Sequence, residues 1–284
     1  MLSDPAMKAA VVFDIDNTLT PPREVLDADM ARRLGALSIP FALAAGSDCA
    51  LLMSQFFSPL HGYGYRGEFD AFVCNGASRY RCRSLRELAV DPMDEFSLRQ
   101  HLGDRPFEDL LSLLGRLLDD ERFGLPRSVE VLGERIVDRG AMINLAPSGR
   151  QKGALSDAAR VSRDQFVAHD QRTGYRERLL PVLRQEIDAI LPGNDLALTL
   201  GGQTSFDLVV RGRDKSFAVR SLLAEGVEQV TYVGDALFPG GNDAAVSDFV
   251  AAWAGGACPV EVVRVDDFHD TARLMESKGW LRAR

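Results

Sequence analysis

The apolar positions of this chain follow two different periods. Residues 9–13 (AAVVF) are a short continuous apolar run, the pattern of a strand buried on both faces. Residues 27–37 (DADMARRLGAL) have helical spacing, 39–45 (IPFALAA) repeat the buried-strand pattern, 48–57 read as a helix and 69–74 (FDAFVC) as a third strand. That alternation predicts a parallel sheet with helices on both faces. The far end returns to the same rhythm: a helix at 215–224, strands at 229–233 (QVTYV), 248–253 and 260–265, and a helix at 267–278. The middle differs. Residues 84 to 120 read as two amphipathic helices, followed by strand-like alternation at 128–131, 141–146, 195–200 and 205–210, with a charged helix at 175–190. The expected fold is therefore α/β: a Rossmann-like parallel-sheet core built from residues 1–83 and 211–284, with an α+β module, residues 84–210, inserted into it.

Composition narrows the function classes. The 284 residues hold 41 acidic and 33 basic side chains, a net charge of −8, which argues against a nucleic-acid partner. Anionic small molecules stay admissible, because a few local arginines bind phosphate whatever the net charge. The four cysteines, Cys49, Cys74, Cys82 and Cys258, show no CxxC or metal spacing, so a reduced, cytoplasmic setting is expected. The opening MLSDPAMKAAVVFD offers no signal-peptide core and no membrane span.

The first strand raises the chemical question, since VVFDIDNTLTPPR ends an apolar run on two carboxylates, Asp14 and Asp16. They would repel each other and lose hydration at the mouth of a packed sheet. In an open parallel sheet, ligands bind beyond the carboxyl ends of the strands. Gly46-Ser47-Asp48 follow the second strand, Gly234-Asp235 and Gly240-Gly241-Asn242-Asp243 follow QVTYV, and Lys215 opens a helix. One carboxylate can attack phosphorus and form an aspartyl phosphate, while the second protonates the leaving oxygen and later takes a proton back. Mg²⁺ relieves their repulsion, with Asp235 as a further ligand. Lys215 supplies fixed positive charge to the transferring group, and Ser47 a hydroxyl donor. Singly, each feature has a plainer reading: DxD as a solvated strand end, Ser47 as a helix cap, Lys215 as a surface lysine, GGND as a turn. Their order, each after its own strand, favours catalysis.

The order DxDxT, Ser, Lys, GDxxxxxxxD resembles the haloacid dehalogenase-like superfamily, with Asn17 standing where Gly is more usual, and the inserted module resembles a type IIB cap. More narrowly, DIDNTLTPPR, AAGSD, CNGA, MINLAPSGR, LGGQTSFDLVVRGRDK and YVGDALFPGGNDAAV are similar to the eukaryotic-type phosphomannomutases over roughly residues 8–247. The resemblance implies a Mg²⁺-dependent exchange of phosphate between the 6- and 1-positions of mannose, glucose phosphates remaining open, with a sugar 1,6-bisphosphate as activator. It implies Asp14 as nucleophile and Asp16 as general acid/base. It also implies a metal held by Asp14, the Asp16 carbonyl and Asp235, in a loop shaped by Asn242 and Asp243. Arg139, Arg150 and Arg160 match arginines for a distal phosphate, Ser205 and Asp207 match contacts to phosphate and sugar hydroxyls, and Arg23 matches an arginine near the sugar. GRQKGALSDAAR is three residues longer between its arginines than the family pattern, which sets Arg160 apart. The resemblance further implies a cytoplasmic homodimer joined through the caps.

Two other readings share these residues. A sugar-phosphate phosphatase would use the same aspartyl phosphate and admit water to it, and nothing in Asp14, Asp16, Lys215 or Asp235 separates it from a mutase. A non-catalytic sugar-phosphate sensor would keep the fold but have no use for a nucleophile beside an acid.

Overall fold

The computed structural model describes residues 9–151 and 155–282. In chain order these form β1 (Ala9–Phe13), α1 (Ala28–Gly35), β2 (Phe41–Ala44), α2 (Cys49–Leu52), a π-helical turn (Met53–Phe57), α3 (Ser58–Gly62), β3 (Gly67–Val73), β4 (Ser78–Ser84) and β5 (Leu88–Asp94). Then come α4 (Leu98–Leu102), α5 (Asp104–Leu118), β6 (Glu134–Asp138), β7 (Ile143–Arg150), α6 (Asp157–Thr173), α7 (Tyr175–Ile190), β8 (Leu196–Gly201) and β9 (Ser205–Val210). The chain ends with α8 (Ser216–Ala224), β10 (Gln229–Gly234), α9 (Ala244–Ala251), β11 (Val260–Arg264) and α10 (Phe268–Ser277).

Two compact units result: residues 1–95, 212–239 and 243–284 in the first, and 96–211 with 240–242 in the second. The first is built on a seven-stranded sheet of order β11-β10-β1-β2-β3-β4-β5. Strands β11 to β3 in that order are parallel, and β4 and β5 are antiparallel additions. β1 lies inside the parallel part, and Val11, Val12 and Phe13 have no exposed surface, which is why its apolar run is unbroken. Its residues pair in register with both β10 and β2, so the loop residues that follow these strands share one edge of the sheet.

The second unit carries an antiparallel sheet of order β6-β7-β9-β8. Ile143, Leu145, Leu198, Leu200, Phe206 and Leu208 join residues of α5, α6 and α7 in one core. The period of two then places Asn144, Ser205 and Asp207 on the other face.

Four expectations are corrected here. Residues 84–95 are not helical: LAVDPMD is β5, an edge strand, where Pro92 removes no needed donor. The insertion is accordingly bounded at 95/96 and 211/212, not 83/84 and 210/211, because β5 pairs with β4 in the first sheet. Residues 248–253 belong to α9 and the turn after it; a short apolar run such as FVAAW has no period to separate strand from helix. No strand forms at 128–131. The helix α6 was not anticipated, although Ser156 caps its start and Gly174, at φ +59°, ends it in the left-handed region.

Candidate active site

Asp14 follows β1 and is held by its own backbone N–H, which donates to the Val233 carbonyl at 2.9 Å. The residue is 5% exposed, and its Oδ1 accepts from Lys215 Nζ at 2.6 Å. The same ammonium donates to Asp243 Oδ1, also at 2.6 Å. Asp243 is fully engaged: Oδ1 also accepts from the Tyr232 hydroxyl, and Oδ2 accepts from Ala236 N–H at 2.9 Å. Gly234 makes room for it, since a β-carbon there would lie 2.5 Å from Asp243 Oδ2. A surface lysine is therefore the wrong description of Lys215, which has no exposed area.

Burial pushes the Asp14 carboxyl well above the usual range; Lys215 opposes that, and Asp243 and Asp235 add to it. Burial disfavours the Lys215 charge too, but Asp14 and Asp243 outweigh it and hold the ammonium above its ordinary value. Burial, then Asp243, keeps the Tyr232 hydroxyl protonated and donating. Asp235 is also raised, first by burial and then by Asp243.

Asp14, Asp235 and Asp243 each present an oxygen, all within 4.8 Å of one another. Three carboxylates around one ammonium leave an excess of two negative charges when all are ionised, which suits one divalent cation. The donor set is all carboxylate oxygen, which fits a hard cation such as Mg²⁺, one that uses one or two carboxylates, waters and substrate phosphate.

The remaining loops converge on the same edge. Asp16 Oδ1 accepts from Arg23 N–H at 2.7 Å, closing the TLTPPR turn; Arg23 itself sits at φ +61° and gives its carbonyl to Gln55 Nε2 at 2.9 Å. The cap of α2 is Asp48, whose Oδ1 accepts from Leu51 N–H at 2.8 Å, so Ser47 is not the capping residue. Ser47 is placed instead by the CNGA turn. Cys74 N–H donates to the Ser47 carbonyl at 2.9 Å and Asn75 N–H to the Ala45 carbonyl at 2.8 Å, with Cys74 and Asn75 at φ +53° and +57°. Gly76, at φ +90°, abuts the other neighbour: a β-carbon there would lie 3.2 Å from Lys215 Cα and closer still to the Asp214 carbonyl.

In the second unit, Ser205 and Asp207 are buried on the face away from the helices. Asn144 Nδ2 donates to Ser205 Oγ at 2.8 Å and to Asp207 Oδ1; Arg150, at the end of β7, donates from Nη2 to Ser205 Oγ at 3.2 Å. The doubled glycine of LGGQTSFD has a reason, since a β-carbon on Gly201 would collide with the Asp207 carboxylate. Arg139 is half-buried in the turn before β7, its N–H donating to the Met142 carbonyl at 2.9 Å. Arg160 is exposed in the first turn of α6; on that helix Arg163 reaches Gln203 Oε1 at 2.8 Å. Part of the long stretch between Arg150 and Arg160, residues 152–154, lies outside the described residues. Asn242 groups with the second unit and Asp243 with the first.

Tyr232 and Asn144 were missed from sequence. Both had a signal: a hydroxyl or an amide inside an otherwise apolar strand must find a partner.

A parallel sheet of this order, with an aspartate after its inner strand bonded to a buried lysine, defines a haloacid dehalogenase-like enzyme of phosphoryl transfer. Solved structures agree on the fold: the IMP-bound IMP-nucleotidase of Plasmodium falciparum superposes with a TM-score of 0.61 at 14% identity, covering 94% of this chain and 67% of that one. The C-terminal domain of Candida albicans trehalose-6-phosphate phosphatase gives 0.52 at 13% identity, covering 97% and 94%. The chain belongs to the eukaryotic phosphomannomutase family, whose description matches residues 34–251. It is 28% identical to the spinach phosphomannomutase over 243 residues, 84% of this chain and 86% of that protein. To the Saccharomyces cerevisiae phosphomannomutase it is 29% identical over 236 residues, 82% of each. Among the described residues, no helix is long and apolar enough to cross a membrane.

Proposed function

We propose that this enzyme interconverts mannose 6-phosphate and mannose 1-phosphate in the cytosol, with a sugar 1,6-bisphosphate as activator and Mg²⁺ as cofactor. The observation that carries the chemistry is the Asp14–Lys215–Asp243 cluster. Because Lys215 holds Oδ1, Asp14 attacks phosphorus through Oδ2; the Oδ2–P bond forms as the bond from phosphorus to the sugar oxygen breaks. Asp16 gives its proton to that departing oxygen, and takes a proton from the sugar hydroxyl that attacks in the return step. Its position is set by the Arg23 N–H bond, so the acid and the nucleophile are fixed by different partners. Mg²⁺, held by Asp14 and Asp235, would neutralise charge gathering on the phosphoryl oxygens.

Arg150, Ser205, Asn144 and Asp207 support the second half of the reading. A guanidinium and a hydroxyl suit a phosphate that is held but not transferred, and a carboxylate suits sugar hydroxyls. Arg23 in the first unit and Arg139 in the second are each proposed as substrate contacts, and Arg160 is the weakest candidate because it is exposed. The second unit is also proposed as the homodimer contact; scattering mass against the 31.1 kDa chain tests it.

A phosphorus NMR time course with mannose 1-phosphate, Mg²⁺ and a trace of glucose 1,6-bisphosphate tests the activity. Mannose 6-phosphate growing in without free phosphate is the expected result. Free phosphate as the main product would overturn the mutase in favour of a phosphatase.

A further inference from the structure

Lys215 is fixed at its charged end by Asp14 and Asp243, but its backbone lies just after Arg211, where the chain returns from the second unit. A loop so close to a chain crossing holds an ammonium still only if the loop is itself fastened. Part of the fastening is internal. Asp214 Oδ1 accepts from Ser216 N–H at 3.0 Å and Oδ2 from Gly212 N–H at 3.2 Å, and Arg220 donates to the Gly212 carbonyl.

The rest reaches outside the loop, through Arg213. Its Nη1 donates to Asp94 Oδ2 at 2.5 Å and to the Ala77 carbonyl at 3.4 Å, and its guanidinium lies over the Phe217 ring, 4.8 Å from the centroid. Asp94 ends β5, just before the outgoing crossing at 95/96, and Ala77 belongs to the CNGA turn that meets Asp214 through Gly76. Most partly exposed ion pairs contribute little. A planar guanidinium held by two acceptors from different segments, with a ring against its face, has one orientation and fixes its own backbone.

We propose that Arg213 is a positioning residue for phosphoryl transfer: it pins the RGRDK loop to Asp94 and to the Ala77 carbonyl, and so keeps Lys215 at Asp14. This rests on the reading of Asp14 and Lys215 as the transfer site, whether a sugar or water accepts the phosphoryl group. Turnover of mannose 1-phosphate and of a small aryl phosphate is measured for Arg213→Ala, Asp94→Asn, the double variant and Lys215→Ala, with thermal midpoints. Both substrates share the transferring group, so Arg213→Ala should lower kcat by about tenfold on each, with KM changing less than about twofold. Asp94→Asn should lose less in the same sense, and the double variant no more than Arg213→Ala, because the two side chains act as one unit. The melting temperature should barely move. A merely structural arginine would lower it and leave kcat per folded molecule unchanged. Asp94→Asn keeps the packing and decides the question even where Arg213→Ala fails to fold. Wild-type kcat in either single variant overturns the proposal, as does a loss confined to mannose 1-phosphate, which would place Arg213 in sugar-phosphate binding. Undiminished aryl-phosphate turnover by Lys215→Ala overturns the reading of the transfer site, and this inference with it.

Discussion

Lys215 Nζ lies 2.6 Å from Asp243 Oδ1, and neither side chain exposes any surface. Removing one partner of a buried pair leaves the other charge uncompensated, which costs about 3–5 kcal/mol. Asp243→Ala should therefore lower stability by that order, and should also strand the hydroxyl of Tyr232. Denaturant unfolding checks it. A loss no larger than a surface mutation gives would mean that Asp14 alone satisfies the ammonium.

Asp14→Asn tests the nucleophile. The amide keeps the shape and can still accept from Lys215 through its oxygen, so the fold should persist. Turnover should fall to background. Retained activity in a folded variant would remove the aspartyl phosphate from the mechanism.

Gly76→Ala should damage the site without touching a catalytic side chain. The residue has φ +90°, and a β-carbon would press on the backbone at Asp214 and Lys215. Displacement by even about 1 Å can cost on the order of 100-fold in rate. The expected outcome is a kcat loss of that order; kcat at the wild-type level would mean the turn yields without moving Lys215.

The metal should couple to pH in a definite direction. Burial raises both the Asp14 and Asp235 carboxyls, so each holds its proton above the ordinary carboxylate range. Without metal, a raised pKa destabilises the fold above that range, and the penalty is relieved as pH falls. Mg²⁺ competes with those protons, so its stabilisation should grow as pH rises above the ordinary carboxylate range. At 100-fold excess over Kd it amounts to about 2.7 kcal/mol. Thermal melts with Mg²⁺ and with chelator measure it; a pH-independent gap would place the cation elsewhere.

The legible parts of this molecule are those whose cause is local. β1 and β2 are continuous apolar runs and β10 (QVTYV) a mixed one, and the polar residues that follow them lie at one sheet edge because parallel pairing aligns their ends. β4 was invisible for the opposite reason: SRYRCRS looks like a charged loop. Arg79 and Arg81 are paired with Asp70 on the neighbouring strand, and Arg79 also with Glu225, 146 positions away. No sequence window contains that compensation. The same limit applied to Asn17. Its motif was readable, but its amide donates to Asp235, which only the folded sheet brings near. Tyr232 is intermediate: its need for a partner could be read, but not that the partner would be the carboxylate holding Lys215.

Arg150 and Ser205 offer the sharpest division between the two halves of the proposed reaction. Their side chains meet at 3.2 Å, and the Ser205 hydroxyl donates to the Gly201 carbonyl at 2.7 Å, leaving its oxygen to accept from Arg150 and Asn144. On the proposed reading, a phosphate bound by Arg150 and Ser205 adds binding energy for a sugar phosphate. A small aryl phosphate has no second group to place. Arg150→Ala should thus reduce kcat/KM for mannose 1-phosphate by about 100-fold, near the 1.5–3 kcal/mol of a charge-assisted hydrogen bond, while hydrolysis of the aryl phosphate changes less than about threefold. Steady-state kinetics on both substrates, with the same enzyme preparation, measure the split. Equal losses would mean that Arg150 supports the fold of the second unit and does not bind substrate.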